Sequence, residues 1–229
     1  ALEIYSTCYT EDFFMLIDEC DAFVENAIFR KKLVGFMDEF FTFHNCSMIS
    51  ATPIIPSDPR FEERGFKHLM FQPKFKLDNE LKPIVTNSVV ETARDIIDYQ
   101  FKMNKQPTFI FTNCKQSIGK LANQFEDSKI FCSENLRDEF FVPLGFKNVE
   151  TSINNHQWAE VNILTSRFFC GVDIMLEDKK PNVIIISDAV ETPHSMVHPL
   201  YSVLQIYGRL RNGISSITHI TTVFDCDSK

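Results

Sequence analysis

Short, nearly unbroken apolar runs alternate along this chain with stretches in which apolar residues recur at helical spacing. A brief apolar run bounded by turn residues is how a strand reads when both its faces are covered, as in a parallel sheet. Phe13–Ile17 and Cys46–Ala51 read as two such strands. Between them, Ile28–Phe43 sets Leu33, Phe36, Met37, Phe40 and Phe41 on one helix face. Pro53, Pro56 and Pro59 then break the pattern among charged residues, so Ile54–Gly65 is expected to be a linker.

Beyond the prolines the alternation resumes. Strands are predicted at His68–Phe71, Thr108–Thr112, Lys129–Cys132, Val161–Thr165, Val183–Ile186 and Thr218–Phe224. Helices are predicted from an Asn87 N-cap to Met103, over Lys115–Phe125, around Glu134–Phe141, and around Tyr201–Leu210. Strands and helices taken in turn give an α/β fold with a doubly wound parallel sheet.

Composition narrows the function classes. The 229 residues are 44% hydrophobic and 24% charged with 23 Phe, which is enough to build a core. No apolar run approaches the roughly 20 residues that span a bilayer, so no membrane partner is expected. Seven cysteines, widely spaced and without a CxxC pair, fit buried thiols in a reducing compartment and a cytoplasmic address. The net charge of −8 is unevenly spread: residues 1–65 hold twelve acids and five bases, and the remainder 19 acids and 18 bases. The acidity thus sits in the shorter piece, where a magnesium site would also place carboxylates. The longer piece is nearly neutral.

Chemistry concentrates at predicted strand ends. Asp18-Glu19-Cys20-Asp21 follows the first strand directly. Carboxylates beyond the carboxyl end of a parallel strand are placed to hold a metal ion against nucleotide phosphates, with an adjacent Glu to activate water. An acidic loop that caps the next helix would look the same in isolation. Ser50-Ala51-Thr52 closes the next strand. Late in the chain, Gln205-Ile206-Tyr207-Gly208-Arg209-Leu210-Arg211 falls on a predicted helix, where guanidinium groups can neutralise charge on a phosphoryl group in transfer.

In this order the pieces resemble the superfamily 2 DExD/H-box helicases. Asp18–Asp21 resembles motif II and Ser50–Thr52 motif III. Phe109–Asn113 resembles motif IV, Leu164–Asp173 motif V, and Gln205–Arg211 the QxxGRxxR of motif VI. The resemblance implies a RecA-like fold: residues 1–65 as the C-terminal part of a first RecA-like domain plus linker, and 66–229 as a complete second one. It also implies ATP with Mg²⁺ as cofactors, and a DNA or RNA strand as partner.

The roles it implies are these. Asp18 and Asp21 serve the metal, Glu19 polarises the attacking water, and Arg209 and Arg211 act on the γ-phosphate. Gly171, Asp173, Gln205 and Gly208 lie on the nucleotide side, with Gly208 allowing close backbone approach. Ser50, Thr52, Thr112, Thr165 and Ser166 couple to the nucleic acid. Two departures stand out. Asn212 occupies the place of the family's last arginine, with Arg211 one position early. And no GxxxxGK[ST] loop occurs, since Gly119-Lys120 is followed by Leu121. The missing half of the first RecA-like domain is expected upstream of Ala1, and the 229 residues alone are expected not to hydrolyse ATP. The reading is therefore an ATP-dependent helicase or translocase working at an inter-domain cleft. The rival is a nucleotide-gated scaffold that kept the fold and lost catalysis.

Overall fold

The computed structural model describes residues 10–21, 32–52, 57–71, 79–154, 157–193, 196–199 and 201–222. The start of the predicted first helix (28–31), residues 54–56 of the expected linker, and the end of the last strand (223–224) lie outside these residues. The chain divides into two units, Ala1–Phe75 and Lys76–Lys229.

In unit 1, strands β1 (Phe14–Asp18) and β2 (Asn45–Ile49) pair in parallel, Phe14 beside Asn45 and Asp18 beside Ile49. Helix α1 (Lys32–Phe40) connects them. Its last residue, Phe40, is fully buried and packs with Phe61 and Phe66 at ring-centroid distances of 6.2 and 5.9 Å. This corrects the expected linker. Residues 60–66 form a short helix, α2 (Arg60–Glu63), and the turn after it, and they belong to the unit 1 core. Arg64 donates to the carbonyls of Phe41, Phe43 and His44, which lie just past the end of α1, while Arg60 spans Asp38 and Asp58. A run rich in proline and charge can thus be structured when its cations meet the carbonyls of the turn that follows a helix.

Unit 2 is a seven-stranded, wholly parallel sheet. Its strands are β3 (Leu81–Val85), β4 (Thr108–Thr112), β5 (Ser128–Phe131), β6 (Val149–Glu150), β7 (Val161–Leu164), β8 (Asn182–Ser187) and β9 (Ser216–Thr221), in the spatial order β3-β9-β8-β4-β7-β5-β6. Successive side chains alternate between two cores. Phe109, Phe111, Leu164, Val183 and Ile185 join Val203, Ile206 and Leu210 on one face. Ile110, Ile163, Ile184 and Ile186 join Ala93, Ile97, Ile118 and Leu121 on the other. Helices α3 (Val89–Asn104) and α4 (Lys115–Ala122) therefore cover one side, and α6 (Tyr201–Arg209) covers the opposite side. The β3-α3-β4 and β4-α4-β5 crossovers advance across the sheet, whereas β8-α6-β9 runs back. Crossovers of one hand must then place α6 on the far face. The chain reverses around β4, which lies between β7 and β8. In open parallel sheets such a point is where ligands gather beyond the strand ends.

Several elements depart from the pattern-based expectation. His68–Phe71 is not a strand: the backbone there is irregular, and Leu69, Met70 and Phe71 are exposed. The strand is β3, whose Pro83 and Lys82 disguise it; proline is tolerated because β3 is an edge. Ser88, not Asn87, is the N-cap of α3. Glu134–Phe141 begins as a single helical turn, α5 (Glu134–Leu136), and continues as a π-turn over Arg137–Phe141. Among the described residues, no helix is long and apolar enough to cross a membrane.

Candidate active site

Unit 1 presents its polar groups at the carboxyl end of β1. Asp18 is exposed there, and its Oδ1 accepts the Glu19 N–H at 2.9 Å. Glu19 has φ of 54°, a left-handed conformation unusual for a residue with a side chain. Such a conformation costs about 1–2 kcal/mol and turns the chain sharply away from the strand. The turn delivers Asp21 into the interior, where it is only 1% exposed. Its Oδ1 accepts Ser50 Oγ–H at 2.6 Å, and its Oδ2 accepts Thr52 Oγ1–H at 2.7 Å. Ser50 Oγ in turn accepts the Thr52 N–H at 3.0 Å. A buried carboxylate needs such donors, and these two hydroxyls meet the need.

The cluster bears on the metal assignment. Both Asp21 oxygens accept a hydroxyl, and the group is buried behind the turn. Asp18 is exposed and accepts the neighbouring Glu19 N–H on Oδ1. Magnesium takes one or two protein carboxylates beside phosphate oxygens and waters, and does not require a closed protein cage. One exposed carboxylate at a strand end fits that demand. Among the described residues, no group of three or more His, Cys, Asp or Glu could hold a metal unaided. Between the carboxylates, burial and then the Asp21 charge push the Cys20 thiol up from its ordinary value.

In unit 2 the carboxyl edge around β4, β7 and β8 holds the second group. Asn113 Oδ1 accepts the Ser166 N–H at 2.7 Å, fixing the turn after β7 to the end of β4. Thr165 is buried, and its hydroxyl donates to the Phe131 carbonyl. Thr112 is fully buried, and its Oγ1 accepts the Cys114 N–H. Both threonines are thus engaged within unit 2. Ser166 and the neighbouring Arg167 are exposed. Sequence reasoning passed over Asn113 as a positioning group, because an amide at a strand end carries no pattern of its own.

The segment 171–176 and the end of α6 are tied together. Gly171, at φ of +71°, makes a turn that a side chain would strain. Ile174 N–H donates to the Arg209 carbonyl at 2.8 Å, and Arg211 N–H donates back to the Ile174 carbonyl at 3.1 Å. Arg211 forms an ion pair with Asp173 at 2.6 Å, with both side chains about half exposed. Asn212 Nδ2–H donates to the Leu176 carbonyl at 2.6 Å. The residue standing where the family places an arginine is thus a fastening group here. Arg209 lies one turn above buried Gln205, donating through Nε to its carbonyl and through Nη1 towards Val172. Arg209 and Asp173 therefore share one side of the edge. At Gly208 a Cβ built on the backbone meets nothing within 4 Å, so the space beside it is not taken by this chain.

Neither a protein-family model nor a curated protein matches the chain. Solved structures do. The Saccharomyces cerevisiae protein Dbp5, bound to RNA and ADP BeF3, matches with TM-score 0.50 and 15% identity over 92% of this chain and 53% of its own. The yeast DEAD-box splicing factor Prp28 (TM-score 0.40, 12% identity, 91% of this chain, 45% of its own) and the RNA helicase Prp28 from Chaetomium thermophilum, bound to ADP (0.37, 13%, 92% and 47%), also match. The chain spans about half the length of these proteins. The likeness to Dbp5 is one of fold, and the fold is the RecA-like α/β fold of DEAD-box helicases.

Proposed function

We propose that this chain is part of an ATP-dependent nucleic-acid helicase or translocase of superfamily 2. The observation that carries the reading is the pair of hydrogen bonds from Ser50 and Thr52 to Asp21. Two short segments, each common by itself, meet through a buried carboxylate. A change at the acidic turn is thereby felt at the Ser-Ala-Thr turn.

Each group then has a task. Asp18 would hold Mg²⁺, which supplies positive charge to the phosphates when bound. Glu19 orients the attacking water and accepts its proton, and its sharp backbone turn sets the direction of the carboxylate. Arg209 presents a planar guanidinium to the γ-phosphoryl group as charge builds. Arg211 keeps the Asp173 segment docked on α6. Ser166 and Arg167, exposed past β7, meet the backbone phosphates of a DNA or RNA strand, a contact that positions without reading sequence.

The test is ATP turnover by the full-length protein, with and without RNA and DNA, beside Glu19→Gln. Strand-stimulated turnover that Glu19→Gln abolishes supports the motor. Strand binding that responds to ATP without turnover supports the rival, a nucleotide-gated scaffold. Turnover indifferent to Glu19→Gln overturns the assignment of the acidic turn.

A further inference from the structure

The segment joining β8 to α6 carries the helix that bears Gln205 and Arg209, and one of its fastenings is unusual. Ser187, the last residue of β8, is almost completely buried. Its Oγ accepts the Val197 N–H at 2.9 Å and lies 2.9 Å from Nε2 of His219 on β9. The serine hydroxyl hydrogen needs an acceptor of its own, and among the described residues the His219 ring nitrogen is the one within reach. That assigns Nε2 as the acceptor and leaves the ring neutral, protonated on Nδ1.

His219 stands opposite Ile185 of β8 and Pro83 of β3, with the same parity as Ile217, so it lies on the sheet face that α6 covers. The charged or titratable groups on the elements around it are Lys82 on β3, Asp188 just after β8, His198 before α6, and Tyr201, Tyr207 and Arg209 on α6. Burial is what pushes the imidazole below its ordinary value.

We propose that His219 is a positioning residue for α6, acting through the Ser187 hydroxyl on the backbone at Val197, four residues before the helix begins. It rests on the reading above that Arg209 serves the nucleotide. A proton on Nε2 sets two donors face to face. The buried hydroxyl hydrogen then has lost its acceptor, and it reaches another only when the serine side chain changes χ1 rotamer, which takes Oγ away from the Val197 N–H. The approach to α6 loosens without any change in α6 itself.

Two measurements test this. In the 229-residue chain, the Val197 amide is followed by hydrogen exchange, corrected for intrinsic rates, between about pH 5 and 8. In His219→Leu and Ser187→Ala, Val197 protection is expected to fall about tenfold, while core amides such as Ile185 stay protected. His219→Gln, whose amide oxygen can still accept, retains protection and loses the pH dependence that the wild type shows below about pH 6.5. Unchanged Val197 protection in a folded Ser187→Ala overturns the relay, as does a wild-type Val197 amide with no acid-side loss. In the full-length protein, His219→Leu is expected to lower kcat about tenfold with KM for ATP nearly unchanged, and His219→Gln to restore kcat while removing the acid limb of the pH profile. Turnover untouched by His219→Leu overturns the positioning role. A Val197 response in a protein that turns over no ATP leaves the relay standing and overturns the motor reading instead, so the two failures are told apart.

Discussion

Thr52 Oγ1 donates to Asp21 Oδ2 at 2.7 Å across 31 residues of sequence, and both residues are buried. A carboxylate out of water depends on its donors more than an exposed one does, because no solvent replaces a lost bond. Thr52→Val keeps the shape and deletes one donor. It is expected to destabilise the 229-residue chain by about 1–3 kcal/mol in denaturant unfolding. Ser50→Ala should add less than its single-mutant effect when combined with Thr52→Val, since both act on one carboxylate. Strict additivity in that cycle would show that the two hydroxyls do not share Asp21.

Arg209 and Arg211 are expected to separate. If Arg209 acts on the γ-phosphoryl group, Arg209→Ala in the full-length protein lowers ATP turnover by roughly 10³ or more, with a small effect on nucleotide affinity. Arg209→Lys recovers little, because a point charge lacks the planar fork. Arg211 is engaged with Asp173 in a half-exposed pair, so Arg211→Ala should alter stability by no more than about 1 kcal/mol and turnover by far less than Arg209→Ala. Equal, mild effects from all three would reduce this helix to an ordinary basic one.

Gly208 distinguishes a packing role from a functional one. It sits within α6 with open space where a side chain would go. Gly208→Ala should therefore stabilise the chain by about 0.5–1 kcal/mol through helix propensity. If the space belongs to a nucleotide or a partner element, the same variant loses ATP turnover. Thermal unfolding and turnover moving in opposite directions is the signature; a gain in both removes Gly208 from the site.

Acid should weaken unit 2. The folded state holds His219 below its ordinary value by burial, so the unfolded chain binds more protons once the pH falls past about 6.5. Stability is expected to decline through that value and to level off below the folded one. His219→Gln should flatten this part of the curve, measured as urea midpoint against pH. A parallel decline in the variant would assign the acid sensitivity to other groups.

How much of this was legible in residue order follows from where each element sits. β4 and β8 are buried on both faces, and a strand buried twice is apolar through its middle, so Thr108–Thr112 and Val183–Ile186 were legible from their Phe-Ile-Phe and Val-Ile-Ile-Ile runs. The alternation of strand and helix was likewise enough for the doubly wound class, because strands of that composition leave few other solutions. β3 was not legible. It is an edge strand, with one neighbour and partly exposed faces, and its Pro83 and Lys82 satisfy an edge rather than a core.

The same division runs through the site. Residue order carried the types and spacing of the acidic turn, the Ser-Ala-Thr turn and the Gln-Gly-Arg helix, since spacing along one element is a local property. It carried nothing about which groups meet. That Asp21 is held by Ser50 and Thr52, that Arg211 pairs with Asp173, that the Thr165 hydroxyl donates to the Phe131 carbonyl, and that His219 reaches Ser187 are consequences of how segments far apart in the chain pack together. A hydrogen bond is decided by a few tenths of an ångström between groups that only the packed sheet brings together, so tertiary structure alone could choose among them.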